Sequence, residues 1–266
     1  VVQYKPSEFT ITVGAATKVS ELNELLAEKQ QYLPFDPPWV QAGATIGGTV
    51  AAGLSGSGRF RFGGVRDFLL GVKLVTGDGR CAELCSKWVK NAAGFDFPKL
   101  IVGSLGACGI ATEFVLKVFP APSACLTVSV DHDSLAEAVS NVARLAASQL
   151  DLACLDVDAD NRLWARLAGQ EESVTARAKR VQQFLGTPGN LYQGQEELDI
   201  WSSSAEFSWI RQGCVIVKTA VTPQRVLALA SELSSVALRI FAGGHGAWIA
   251  WPESEPDRKS TRLNSS

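Results

Sequence analysis

The feature that most constrains this chain is a stretch in which side chains nearly vanish: Gly43-Ala44-Thr45-Ile46-Gly47-Gly48-Thr49-Val50-Ala51-Ala52-Gly53-Leu54-Ser55-Gly56. Glycine lets a backbone approach a ligand without a Cβ in the way and leaves N–H groups open to an anion such as a diphosphate. Thr45 and Ser55 add hydroxyls, and residues 48–52 read as a short helix whose N-terminal end faces the same anion. One such loop fits a packing turn as well as a binding site. A second changes the balance: Gly103-Ser104-Leu105-Gly106-Ala107-Cys108-Gly109-Ile110 spaces its glycines by three and ends on an apolar residue that leads into a strand. Neither loop has the G-x-G-x-x-G of a dinucleotide-binding Rossmann unit or the lysine and hydroxyl of a P-loop, which disfavours a nicotinamide enzyme and a nucleotide hydrolase.

Around these loops the hydrophobic pattern alternates between strand and helix periods. Phe9, Ile11 and Val13 alternate with Thr10 and Thr12 as in a half-buried strand, and Leu22, Leu25 and Leu26 follow at helical spacing. Pro34, Pro37 and Pro38 stop that helix in a rigid loop. Residues 68–76 and 80–84 read as a hairpin about Gly77-Asp78-Gly79, and residues 111–119 as a strand ended by Pro120 and Pro122. The glycine-rich character stops there, which sets the expected boundary: a first domain over 1–122 and a second over 123–256. In the second, strands are expected at 126–130, 152–157, 163–168, 214–220, 239–242 and 247–251. Helices are expected after Ser134, whose pairing with Glu137 is a capping box, over 173–185 and after Pro223. Residues 186–204 read as a glycine- and serine-containing loop. The β-α-β-β order, seen twice, predicts a ferredoxin-like α+β cap with helices on one face of an antiparallel sheet.

The ends carry their own expectations. The chain has no methionine, so an N-terminal part is expected to be missing, and residues 257–266 read as a non-native, adapter-derived tail. With 25 basic against 27 acidic residues and no basic block, nucleic acid is not an expected partner. No apolar run reaches the ~18 residues of a membrane span, and the first residues lack a signal-peptide pattern, so a cytoplasmic placement is expected. The six cysteines form no CxxC pair and have no histidine placed to complete a metal or cluster site, so no metal is expected and free thiols are.

Three runs in order, GATIGGTVAAGLSG, GGVRDFLLGVKLVTGDG and KNAAGFDFPKLIVGSLGACGIATEFVLKVFP, resemble the FAD-binding domain of the vanillyl-alcohol-oxidase, or PCMH, type, in particular the FAD-binding subunits of glycolate oxidases. The likeness is strong from Tyr4 to about Pro122 and loose beyond. It implies a PCMH-type FAD-binding domain followed by the α+β cap, and FAD as cofactor. It implies that Gly43, Thr45, Gly47, Gly48 and Gly53 contact the diphosphate or ribityl chain, that Gly64 and Asp67 lie on the adenine or diphosphate side, and that Gly103, Ser104, Gly106, Gly109 and Ile110 line the second half of the site. It further implies oxidation of an α-hydroxy acid such as glycolate to glyoxylate, with electrons passed to a second FAD-linked subunit and an iron–sulfur subunit, either in the cytoplasm or peripheral to the inner face of the membrane. Open alternatives are a non-catalytic scaffold or electron-relay subunit and a stand-alone FAD-linked oxidase or dehydrogenase of another hydroxylated substrate.

Other polar residues invite weaker readings. Lys90, Asn91 and Asp96 are candidates near the flavin, where a cation stabilises the reduced ring, and Arg59, Arg61 and Arg66 for a carboxylate substrate; an exposed turn and a solvated face fit as well. Of the two histidines, His132 reads as a surface residue, and His245, flanked by glycines, as the weak catalytic candidate. Trp201, Trp209, Trp248 and Trp251 read as core or interface anchors.

Overall fold

The alternation around Ile11 does build a strand, and it organises the first of two sheets. The computed structural model describes residues 1–85, 96–233 and 236–253; Lys90, Asn91 and the tail lie outside them. The first part contains β1 (Gln3–Lys5), β2 (Thr10–Gly14), α1 (Val19–Ala27), β3 (Gln31–Tyr32), α2 (Ile46–Ala52), α3 (Arg59–Phe62), α4 (Val65–Phe68), β4 (Leu69–Val75), β5 (Cys81–Cys85), α5 (Pro98–Ile101), β6 (Ile110–Lys117) and β7 (Phe119–Pro120). The antiparallel sheet runs β1-β2-β6-β4-β5, with β3 and β7 paired as a separate ribbon. Period two sends Ile11 and Val13 inward, where Leu22 and Leu26 of α1 and Ile46 and Val50 of α2 close the core over them.

The second part holds β8 (Ala124–Val130), α6 (Leu135–Ala146), β9 (Cys154–Val157), β10 (Leu163–Gly169), α7 (Glu171–Leu185), β11 (Asn190–Gln193), α8 (Gly194–Ala205), β12 (Cys214–Ala220), α9 (Pro223–Glu232), β13 (Ala237–Phe241) and β14 (Gly246–Pro252). Its antiparallel sheet runs β11-β8-β10-β9-β13-β14-β12. The β-α-β-β order appears twice, as β8-α6-β9-β10 and β12-α9-β13-β14. Leu155 and Val157 meet Val139, Val142, Val174 and Val226 of α6, α7 and α9 on one face. Ser134 caps α6, its hydroxyl accepting from Glu137 N at 3.3 Å.

The expected loop at 186–204 is instead β11 and α8. Gly189 is a glycine because a Cβ there would sit 2.5 Å from Ser129 O, so the residue that looked like loop punctuation lets β11 close on β8. The polar α8 is held by buried partners: Trp201 Nε1 donates to Thr127 Oγ1 at 2.8 Å, and Glu197 pairs with Arg166 Nε at 2.7 Å. It lies on the sheet face opposite the other helices, where Trp201 packs with Cys154 and Trp164.

Polar and aromatic contacts tie the two sheets together. Ser57 Oγ donates to Asp156 Oδ2, which also pairs with Arg239 Nη2 at 3.3 Å. Burial pushes the Asp156 carboxyl up, and Arg239 and Ser57 pull it back. Glu206 accepts from the backbone N–H groups of Gln41 and Ala42 at 2.8 and 3.2 Å. Trp39, Leu54 and Phe60 of the first part pack with Phe207, Phe241 and Trp248 of the second, the Trp39–Phe207 and Phe207–Trp248 ring centroids lying 4.8 and 4.9 Å apart.

Candidate functional site

The first glycine-rich stretch is built against the turn after β2. Ile46 N donates to Thr17 O at 2.9 Å, Gly47 N to Ala15 O at 2.8 Å, and Gly48 N to the Thr45 hydroxyl at 3.1 Å. The leading N–H groups of α2 are therefore spent inside the protein, which corrects the expectation that this end of the helix faces an anion. Gly47 serves the same packing, because a Cβ on it would lie 2.8 Å from Ala15 O. Ser55, expected to offer a hydroxyl donor outward, is buried and accepts from Val65 N at 2.9 Å. Gly43 and Gly48, by contrast, face outward, and nothing stands within 4 Å of where a Gly43 Cβ would point.

The second loop docks on the end of the same helix. Gly103 N donates to Val50 O at 3.0 Å and Leu105 N to Ala51 O at 2.9 Å. Gly53 ends α2 at φ +62°, and a Cβ there would sit 3.2 Å from Gly103 Cα, so only glycine lets the loops touch. Gly103 and Gly106 take φ +78° and +83° with open space around them, and the N–H groups of Gly106 and Cys108 have no partner among the described residues. Leu105 and Ile110 stand 80% and 74% exposed beside them. Together the two exposed stretches, joined where Gly53 meets Gly103, make up the glycine face, with free donors and apolar flanks on the second loop.

The other expected site residues fall elsewhere. Gly109 packs on β4, where a Cβ would meet Val75 O at 2.5 Å, and Ser104 is half-buried. Gly64 is buried behind Ser55, and Asp67 caps α4 by accepting from Gly64 N at 2.8 Å, so both have a local structural task. His245 is exposed in the turn between β13 and β14 and lines neither of the two hollows at the junction. His132, expected at the surface, is buried with Nε2 2.9 Å from Asn141 Nδ2. Arg61 pairs with Asp151, Asp96 with Lys99, and Arg59 and Arg66 are exposed. Trp201 and Trp248 are buried anchors, and Trp209 and Trp251 are half-buried.

Two hollows border the junction. A cavity of about 370 Å³ is lined by Trp39, Gly43, Thr45, Gly48 and Leu54 beside the first glycine stretch. A larger cleft of about 850 Å³ opens on the other side of the Pro38 loop, lined by Tyr32, Asp36, Ser57, Arg166, Trp201 and Trp248. There, burial pushes the Asp36 carboxyl up against the pull of Arg166 and the Gly58 N–H, and it also raises the Tyr32 hydroxyl. Sequence reading missed this buried charge cluster; its residues are scattered over the chain, and only the spacing of polar residues among strand apolar ones could have hinted at it.

Residues 1–84 match the family model described as FAD binding domain. The chain carries an FAD-binding domain. Glycolate oxidase subunit GlcE of Escherichia coli is 40% identical over 176 residues, which is 66% of this chain and 50% of that protein. The mitochondrial cytochrome-linked D-lactate dehydrogenase of Arabidopsis thaliana is 29% identical over 167 residues, 63% of this chain and 29% of that protein. The chain thus spans half the length of the first relative and less of the second. A solved alkyldihydroxyacetonephosphate synthase superposes with a TM-score of 0.75 over 96% of this chain and 60% of its own, at 18% identity, a likeness of fold alone.

FAD is the cofactor of this domain, and the glycine face fits it. A flat ring and a diphosphate need a surface without side chains, free N–H donors and apolar edges. Gly43, Gly48, Gly103 and Gly106 supply the first, Gly106 and Cys108 the second, Leu105 and Ile110 the third. No helix among the described residues is long and apolar enough to cross a membrane, and no group of three or more metal-ligating side chains occurs among them.

Proposed function

We propose that this chain is the FAD-binding part of a flavin-dependent oxidoreductase that oxidises an α-hydroxy acid such as glycolate and hands the electrons to partner subunits. The single observation that carries this reading is the face made by the two glycine loops, locked together through Val50 O and Ala51 O and left bare outward. The names of the relatives, a glycolate oxidase subunit and a D-lactate dehydrogenase, support the hydroxy-acid class. FAD supplies the hydride acceptor when bound. The chain's own residues bind and orient it: Gly43, Gly48, Gly103, Gly106 and Ile110 give the contact surface, while Gly47, Gly53, Gly64, Asp67 and Gly109 hold that surface in shape. The free N–H groups of Gly106 and Cys108 suit phosphate oxygens, and Leu105 and Ile110 keep water from the cofactor's edge. In this reading residues 1–122 form the FAD-binding domain and residues 123–256 the cap, and the partners are a second FAD-linked subunit and an iron–sulfur subunit, in the cytoplasm or at the inner face of the membrane.

One observation favours a second reading, in which the subunit relays electrons without doing the chemistry. His132 is buried and bonded to Asn141, and His245 lines neither hollow, so among the described residues no histidine base stands in the two hollows at the junction. A steady-state assay of the full-length subunit with glycolate and a dye acceptor separates the readings. Turnover without partners excludes the relay; turnover only with partners, while the subunit itself holds FAD, supports it.

A further inference from the structure

The second sheet repeats one pattern about an axis at its centre. The units β8-α6-β9-β10 and β12-α9-β13-β14 meet where Val157 of β9 pairs with Ile240 of β13, and the strand order β8-β10-β9-β13-β14-β12 places equivalent strands at equal distances from that pair. The registers carry the equivalence outward: Leu163, opposite Val157, corresponds to Ala247, opposite Ile240. One strand further out, Leu126 and Val128 of β8 correspond to Val215 and Val217 of β12.

These equivalent residues have unlike surroundings. Leu126 and Val128 are 5% and 0% exposed, because α7 lies over them and adds Val174, Ala178 and Val181 to the same core. Val217 shares its sheet face with Ile249 and Leu238, the face that carries the helices, yet Val215 and Val217 are 48% and 41% exposed. The edges differ in the same way. β11 pairs with the outer side of β8, whereas among the described residues no strand pairs with the outer side of β12. Both coverings of β8 come from the chain that leaves β10, which runs into α7 and then β11. The chain leaves β14 at the equivalent point, Pro252 corresponding to Ala168.

We propose that the bare face of β12 is the seat of an amphipathic helix supplied by the full-length chain itself, from the segment that follows β14, and that a strand after this helix pairs with the outer edge of β12. The match to GlcE covers half of that protein, which leaves length for such a segment. Exposed valines beside an unpaired strand edge are a template for pairing with another chain, and natural sheets cover such edges. The occupant's chemistry follows from α7: apolar residues spaced by four and three, as Val174, Ala178 and Val181 are, with a polar outer side. The competing occupants are a second copy of this chain and a partner subunit. The inference stands apart from the cofactor, since Val215 and Val217 line neither hollow at the junction.

The test uses the full-length protein with a photo-crosslinking amino acid in place of Val217 or, in a second variant, of Val215. Each is irradiated alone at several protein concentrations and again with the partner subunits, and the linked peptides are identified by mass spectrometry. The expected result is an intrachain link from both positions to residues beyond Glu253 that lie three or four apart, unchanged by concentration or partners. Links to a second copy, links to a partner subunit, or no link at all overturn the inference. Hydrogen exchange of the unmodified full-length protein reads the edge without any substitution. β12 should protect as many of its amides as β8, which is paired on both sides, and protection of only about half as many would mean that the outer edge of β12 stays open.

Discussion

Gly47→Ala and Gly48→Ala each add one methyl group to adjacent residues of α2 and are expected to fail in opposite ways. At Gly47 the new Cβ would lie 2.8 Å from Ala15 O and 3.0 Å from Ala15 Cβ, and the residue's own N–H already donates to that oxygen at 2.8 Å. Overpacking of this kind costs ~1–3 kcal/mol and a weakened hydrogen bond ~0.5–1.5 kcal/mol. At ~2–4 °C per kcal/mol for a chain of this size, the melting temperature should drop by about 3–18 °C with or without FAD. At Gly48 the Cβ would be an ordinary 3.4 Å from Thr45 Oγ1, and alanine gains up to ~1 kcal/mol over glycine within a helix. The apo protein should therefore melt at the same temperature or slightly higher. Its methyl, however, stands on the exposed face, so FAD should bind at least tenfold more weakly. Differential scanning fluorimetry without cofactor and a titration of FAD fluorescence quenching give the two readouts. A Gly48→Ala variant that binds FAD like the wild type would refute the assignment of this face to the cofactor, and a Gly47→Ala variant with unchanged melting would refute the packing role.

Four further outcomes follow from the same geometry. Leu105→Asp with Ile110→Asp should leave apo melting unchanged, since both side chains are already exposed, yet abolish flavin retention on a desalting column. Asp156→Ala strands buried Arg239 without its carboxylate and should cost ~3–5 kcal/mol in urea unfolding, whereas Ser57→Ala should cost about 1–2 kcal/mol. Asp36→Asn should stabilise the protein at neutral pH. The folded carboxyl titrates above its ordinary 3.8, so the wild type loses stability as pH rises through the folded value. The Asn variant's advantage in melting temperature should vanish toward pH 3.8, grow as pH rises through the folded value and level off above it; the reverse trend would contradict the buried-acid reading. His245→Ala should change neither FAD affinity nor turnover, and a loss in kcat would return His245 to the site.

The glycine loops and most strands were legible because their patterns are local. The alternation at Thr10–Gly14 and the Ser134 N-cap need only near neighbours, and both appear in the structure, although of the expected capping box only the bond from Glu137 N to the Ser134 hydroxyl forms. What was illegible depends on distant partners. That α2 spends its leading N–H groups on Ala15 and Thr17 carbonyls, or that Ser55 turns inward to Val65, follows from how the turn after β2 and the start of α4 pack, which no spacing encodes. The helix α8 escaped notice because Gly194 opens it and its serines are poor helix signals; buried pairs such as Glu197 with Arg166 hold it instead. The exposed part of the glycine face separates residues that equal composition had made equivalent: Gly47 and Gly48 look alike in sequence and differ only in what their missing Cβ would meet.

The central claim, that the two glycine loops make an FAD site, is tested most directly by the visible absorbance of the purified full-length protein after FAD is added and the excess removed by gel filtration. The expected result is a retained flavin spectrum in the wild type that Gly48→Ala and Leu105→Asp/Ile110→Asp lose while remaining folded. A wild-type protein that emerges colourless, even with partner subunits present, would mean that the loops serve packing alone.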